Sequence, residues 1–211
     1  NMKKVLCIII ALTMLSLCAC GNSETNKPNN TTNPTDAISE QPTSNNDDSS
    51  TKNIELQTTY KVPLKDIVVD MPNYQQIECG YTKLFTVGRE YNIAVTSCKN
   101  VNVTELKEAH NSAFAKYQNN YQNYAKINEL IISNDSTSTV NGVEVYRFEG
   151  ELACSDDTGE YKIYTVGYSF IMDGIPCSIE GTVLNKSQPQ EMITEIKDTV
   201  DAIIKTLRST K

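Results

Sequence analysis

The chain has 211 residues, with 19 basic and 26 acidic side chains and a formal net charge of −7. An acidic chain repels phosphate backbones, and no basic stripe offsets that repulsion, so nucleic acid is excluded as a partner. A single histidine, His110, and seven cysteines are the residues from which metal or nucleophilic chemistry would first be built.

At the N-terminus, Lys3 and Lys4 precede an apolar run from Val5 to Leu17, interrupted by Thr13 and Ser16. At ~1.5 Å per residue the run is far shorter than the ~30 Å hydrocarbon core of a bilayer. It therefore reads as the apolar region of a signal peptide rather than a spanning helix. Leu17-Cys18-Ala19-Cys20-Gly21 follows and resembles the bacterial lipobox, with Cys18 where Ala or Ser is usual. The resemblance implies a signal peptide over residues 1–19 and a cut in front of Cys20. It also implies a diacylglyceryl group on the Cys20 thiol and attachment to the extracytoplasmic face of a cell membrane, with the lipid bilayer as a partner. The competing readings are an uncleaved anchor and an ordinary secretory signal cut elsewhere.

Residues 20–53 form the expected lipidated cysteine and tether. Asn, Thr, Ser, Pro, Asp and Gln dominate from Asn22 to Asn53, and Ile38 is almost the only large apolar side chain. Such a segment cannot bury enough surface to offset its ordering entropy, and it is expected to be disordered. Removing Lys3 and Lys4 with the signal leaves 17 basic and 26 acidic side chains, a balance of −9.

Residues 54–211 have the length of one domain. Ile67-Val68-Val69 predicts a first strand, stopped by Pro72. Tyr81–Val87 and Tyr91–Thr96 predict a hairpin around Gly88-Arg89-Glu90. Asn102 to Ala125 predicts a helix, with Asn102 and Glu105 as a capping box. Its stripe runs Leu106, His110, Ala113, Tyr117, Asn120 or Tyr121, and Tyr124. Asn141-Gly142 is a two-residue hairpin turn and opens a strand from Val143 to Leu152. Asp156-Asp157-Thr158-Gly159 turns into a strand from Tyr161 to Met172, and Asp173-Gly174 into one from Ile175 to Leu184. A last helix starts at Ser187-Gln188-Pro189 and carries the apolar stripe from Met192 to Leu207. Tight turns between consecutive strands imply antiparallel pairing. The fold class expected is α+β: an antiparallel curved sheet covered by two amphipathic helices, an α/β/α sandwich.

That order resembles the PsbP-like, or DcrB-like, fold. The resemblance lies in Ile67-Val68-Val69-Asp70-Met71-Pro72, in the strand start Asn141-Gly142-Val143-Glu144-Val145-Tyr146, and in Ile196-Lys197-Asp198-Thr199-Val200. It covers most of residues 60–208 and implies accessory or binding proteins with no shared catalytic set.

No phosphate loop, dinucleotide fingerprint, nucleophile elbow or zinc spacing occurs, and neither a cofactor nor a metal is expected. Asp156 to Glu160 offers carboxylates but not the ligand ladder of a calcium loop, and a solvated turn is the simpler reading. His110, beside an apolar stripe, reads first as a packing residue. Tyr117, Tyr121 and Tyr124 lie among Gln118, Asn119, Asn120, Gln122 and Asn123. That mixture of rings and amides is the candidate ligand-binding surface, against the simpler reading of core packing.

Cys79, Cys98, Cys154 and Cys177 remain in the domain. A two-residue turn at Gly88-Arg89 would place Cys79 opposite Cys98. A three-residue loop pairs Val87 with Tyr91, Phe85 with Ile93 and Tyr81 with Ser97, and puts the two cysteines on opposite faces. The second register gathers the large apolar side chains on one face and is preferred. Whether any of the four forms a disulfide stays open. Cys154 and Cys177 read as small buried hydrophobes.

The functional expectation is a membrane-anchored, non-catalytic binding or accessory module of the cell envelope, with an envelope protein or a small ligand as partner. The alternatives are an envelope hydrolase using surface carboxylates such as Glu144, Glu149 and Glu151, or a structural wall or coat spacer.

Overall fold

A computed structural model describes residues 54–62, 67–79, 82–121 and 125–210, all within one compact unit that spans Asn53–Lys211. The signal peptide, Cys20, the tether, Tyr81 and Tyr124 lie outside the described residues, as do the side chains of Cys79 and Asn120.

Twelve elements follow in order: β1 (Thr58–Lys61), β2 (Ile67–Met71), β3 (Gln75–Cys79), β4 (Thr82–Val87), β5 (Tyr91–Ser97), α1 (Leu106–Tyr121), β6 (Lys126–Val140), β7 (Val143–Asp156), β8 (Gly159–Met172), β9 (Ile175–Val183), α2 (Gln190–Lys205) and β10 (Arg208–Ser209). Seven strands form one antiparallel sheet in the order β3-β4-β5-β9-β8-β7-β6. The class is α+β, with a mostly antiparallel sheet and two helices among the described residues. The first predicted strand, β2, does not join that sheet. It pairs with β1 and β10 in a separate three-stranded sheet, where Ile67, Val69 and Met71 pack into the same core as α2.

Pleating sorts the side chains of the large sheet. Ile93, Val95, Val166, Phe170 and Ile179 join the core of α2, which contributes Ile196, Val200, Ile203 and Ile204. Alternate residues point the other way, toward α1: Ala94, Leu152, Cys154 and Ile163 pack with Tyr117. This second layer is polar for a core. Thr82, Thr96, Thr165, Ser169, Glu180 and Thr182 are all buried. Small side chains at Ala109 and Ala113 bring α1 close to it, and the Tyr117 hydroxyl lies 2.9 Å from Thr182 Oγ1.

The hairpin β4–β5 adopts the three-residue loop, with Val87 opposite Tyr91 and Phe85 opposite Ile93. Cys79 ends β3, a strand the hydrophobic pattern does not announce, opposite Thr82. Cys98, Cys154 and Cys177 are buried thiols outside any disulfide. Asn141-Gly142 and Asp173-Gly174 form the expected turns, each with φ positive at both residues (49° and 82°; 48° and 80°).

Two expectations are corrected. Helix α1 begins at Leu106, not Asn102, and is described through Tyr121. Asn102 does not cap it; its side chain lies against Gly174, and Val103 N donates to Gly174 O at 2.8 Å, so this segment is stitched to the β8–β9 turn. The stretch from Lys126 to Val140, to which the pattern assigns no element, is the 15-residue edge strand β6.

Candidate functional site

The site begins with the edge strand. Strand β6 buries Ile127 and leaves most of its other side chains in solvent. Register shifts between Ile127 and Glu129 and between Ile132 and Asn134 interrupt its pairing with β7. Leu130 lies opposite Leu152, and Asp135 opposite Phe148, so both project on the α1 side of the sheet. The N-terminal half of α1 passes beside them. Between the two elements lies a groove of about 510 Å³. Its helix wall carries Lys107, His110, Asn111 and Phe114; its floor is Leu130, Ile132, Asp135 and Tyr146.

His110 sits at the base of the helix wall and is 5 % exposed. Its ring lies 4.5 Å from Phe148 and 5.1 Å from Tyr146, centroid to centroid, and its Nδ1 is 3.3 Å from Ser169 Oγ. Burial lowers its pKa to about 4, against the opposing pull of Asp135. The imidazole is therefore neutral at physiological pH. The Tyr146 hydroxyl donates to Asp135 Oδ2 at 2.8 Å, and burial together with that bond pushes its pKa up to about 12. The groove thus has an apolar middle in Leu130, Ile132 and Phe114, an acidic group on its floor and an ammonium on its wall. His110 is held against Ser169, and Tyr146 against Asp135.

The tyrosines singled out from sequence lie elsewhere on α1. Tyr117 is 1 % exposed and belongs to the core. Tyr121 is half-buried and stacks on it at 5.6 Å between centroids. Neither lines the groove. Tyr124 falls outside the described residues.

The carboxylates named for the hydrolase alternative have partners of their own, apart from Glu144, which is exposed. Glu149 Oε2 pairs with Arg147 and with Lys197, each at 3.2 Å, and Glu151 with Lys162 at 3.1 Å. Burial pushes the Glu149 carboxyl up, but the Tyr164 hydroxyl, Lys197 and Arg147 together hold it below its ordinary value. A general acid needs the opposite shift. At the β7–β8 turn, Lys186 Nζ lies 2.6 Å from Asp156 Oδ2, and Thr158 occupies Oδ1. The Asp156 carboxylate is thus already engaged by an ammonium and a hydroxyl. Among the described residues no cluster of three His, Cys, Asp or Glu side chains is arranged to hold a metal.

No protein-family model matches the chain. No curated protein matches it either. Solved structures do show similar courses of the chain. Cyanobacterial PsbP from Synechocystis sp. PCC 6803 shares 9 % identity over 72 % of this chain and 91 % of its own, with a TM-score of 0.49. LpqN, involved in cell envelope biogenesis of Mycobacterium tuberculosis, shares 11 % identity over 73 % of this chain and 90 % of its own, with a TM-score of 0.47. What this domain does has to follow from its own side chains.

Proposed function

We propose that the chain is a lipid-anchored, extracytoplasmic binding or accessory module of the cell envelope, with a PsbP-like α/β/α sandwich that presents the groove between α1 and β6. The observation that carries the binding role is the groove: an accessible depression with an apolar middle whose acid–base groups are already engaged, His110 with Ser169 and Asp135 with Tyr146. Such a surface suits holding a partner, and Ser169, the hydroxyl beside His110, is fully buried and out of a substrate's reach. The anchor rests on the lipobox resemblance at Leu17-Cys18-Ala19-Cys20, and the stand-off from the membrane on the composition of residues 22–53. Two acyl chains on Cys20 hold a protein stably where one holds it marginally.

The test is in-cell cross-linking of the tagged, lipidated protein, followed by mass spectrometry of what co-purifies. A reproducible envelope partner is expected for the wild type and is lost on Ile132→Lys, which charges the groove floor at an exposed position. Cys20→Ser is expected to release the protein from the membrane fraction. Turnover of a cell-wall substrate by the purified protein would overturn the binding role. A Cys20→Ser protein that stayed in the membrane would overturn the anchor. Capture of nothing but the protein itself would favour a wall or coat spacer.

A further inference from the structure

We propose that the groove is one half of a strand-addition site: an extended peptide of net positive charge pairs its backbone with the open edge of β6 and sets alternate side chains into the α1–β6 groove. This rests on the binding role proposed above and names its partner class.

The two edges of the large sheet differ. At one end, β3 is five residues long and presents Glu78, paired with Lys83 at 3.2 Å. At the other, β6 is fifteen residues long and, among the described residues, pairs as a strand only with β7. Exposed edges are normally protected by brevity, charge, proline or bulges. Strand β6 has Lys126 and both of its register shifts in its first half. From Asn134 to Val140 it runs without irregularity, has no proline and carries Asp135 as its one charge. That half offers a row of outward main-chain donors and acceptors in regular register.

The groove lies along the same strand. Ile131 and Ile132, 36 % and 39 % exposed, are the exposed large hydrophobic side chains among the described residues. They lie just before the second register shift, after which the regular half begins. A strand added outside β6 would place every second side chain on the α1 face. One such side chain would meet Ile132 and Phe114, and another would reach Asp135. Main-chain bonds would supply affinity and the groove would supply selection.

Charge decides the occupant. Residues 54–211 carry 15 basic and 21 acidic side chains once the four lysines and five carboxylates before residue 54 are set aside. A second copy of the domain would bring the same negative excess and a second Asp135 to the seam. It would add only one more pair of exposed isoleucines, little of the ~1,200 Å² that a standard interface buries. A peptide with an apolar anchor and basic flanks meets the edge, the groove and the charge together.

The experiment uses the secreted chain carrying Cys20→Ser and a displayed library of random decapeptides. Enriched sequences are then synthesised singly. They are expected to alternate apolar with polar residues, to carry net positive charge, and to bind at least tenfold more weakly to Ile132→Lys. In the wild-type complex, amide exchange is expected to slow at least tenfold at alternate residues between Asn134 and Thr139, which a ligand touching only side chains would not produce. Enriched peptides that bind without slowing β6 exchange would overturn strand addition and leave the binding role standing. An absence of any enrichment, alongside a groove-dependent partner in cells, would do the same. Concentration-dependent dimerisation through β6, seen as the same exchange pattern without peptide, would make a second copy the occupant and overturn the proposal.

Discussion

Thr165 Oγ1 donates to Glu180 Oε1 at 3.0 Å in the polar layer beneath α1, where Glu180 is 2 % exposed. The same hydroxyl also lies 3.1 Å from Gly181 O and 3.3 Å from Thr182 Oγ1. A threonine has one proton, so it cannot serve every acceptor around it. When Glu180 is protonated, its own O–H can donate to Thr165 Oγ1 and leave the threonine proton for Gly181 O. Burial pushes the Glu180 pKa up to about 8, and the Thr165 bond opposes only part of that rise.

A pH dependence follows from this pair. Because the folded pKa lies above the unfolded one, the stability gained from neutral Glu180 is full below about pH 4.5 and is lost as pH rises through about 8. At about 1.4 kcal/mol per unit, the domain is expected to lose roughly 3 kcal/mol between pH 5 and pH 8 from this group. Glu180→Gln keeps the shape and removes the titration. Urea unfolding of both proteins across this range checks it: the wild-type slope should flatten in the variant, and parallel curves would mean that Glu180 is not the source.

On the next residue the sheet turns its other face to α2. A Cβ on Gly181 would lie 2.6 Å from Val200 Cγ2 and 2.7 Å from Ile196 Cγ1. Both partners are fully buried, so neither can swing away. Gly181→Ala is expected to push α2 off the sheet and to cost about 2 kcal/mol in chemical unfolding, with no change in its pH slope. A neutral result would mean that α2 has room to rise.

What the sequence shows is set by burial. The stripe from Met192 to Leu207 announces α2 because nearly every third or fourth residue meets the sheet. Strands β7, β8 and β9 are legible because positive-φ turns punctuate them. Strand β6 escapes because hydrophobic alternation reports burial on one face, and β6 is exposed on both beyond Ile132. Half of the groove was therefore invisible, while the tyrosine stripe that drew notice belongs in part to the core through Tyr117. The capping box at Asn102 and Glu105 was well spelled but misled, because the chain uses Asn102 to dock on the Gly174 turn.

Calcium is expected to have no effect on the domain. Lys186 Nζ sits 2.6 Å from Asp156 Oδ2 and 3.9 Å from the centroid of the Tyr161 ring. A cation would have to displace an ammonium held by both a carboxylate and an aromatic face. Thermal melts with and without calcium at roughly 10 mM should coincide, since a ligand that binds only the folded state raises Tm. A clear rise would reopen the turn as a cation site.

Arg147 is the hinge of the charged network on the α2 side. Its Nε lies 3.2 Å from Asp201 Oδ1 and its Nη1 3.2 Å from Glu149 Oε2, and the Tyr168 hydroxyl donates to Asp201 at 2.8 Å. The Arg147 and Glu149 side chains are 16 % and 17 % exposed, so solvent screens this network only in part. Arg147→Met keeps the apolar stem and leaves two carboxylates short of a cation. The cost is expected to be about 2 kcal/mol, below that of a fully buried pair. The pH signature is opposite to that of Glu180. The Glu149 pKa is held below its ordinary value, so its contribution is present above the ordinary carboxylate range and is lost as pH falls through the folded value. Acid unfolding of the wild type should therefore carry a component that weakens in Arg147→Met. A double-mutant cycle with Glu149→Gln separates this pair from Asp201: a coupling near zero would mean that Tyr164 and Lys197, without Arg147, hold Glu149 ionised.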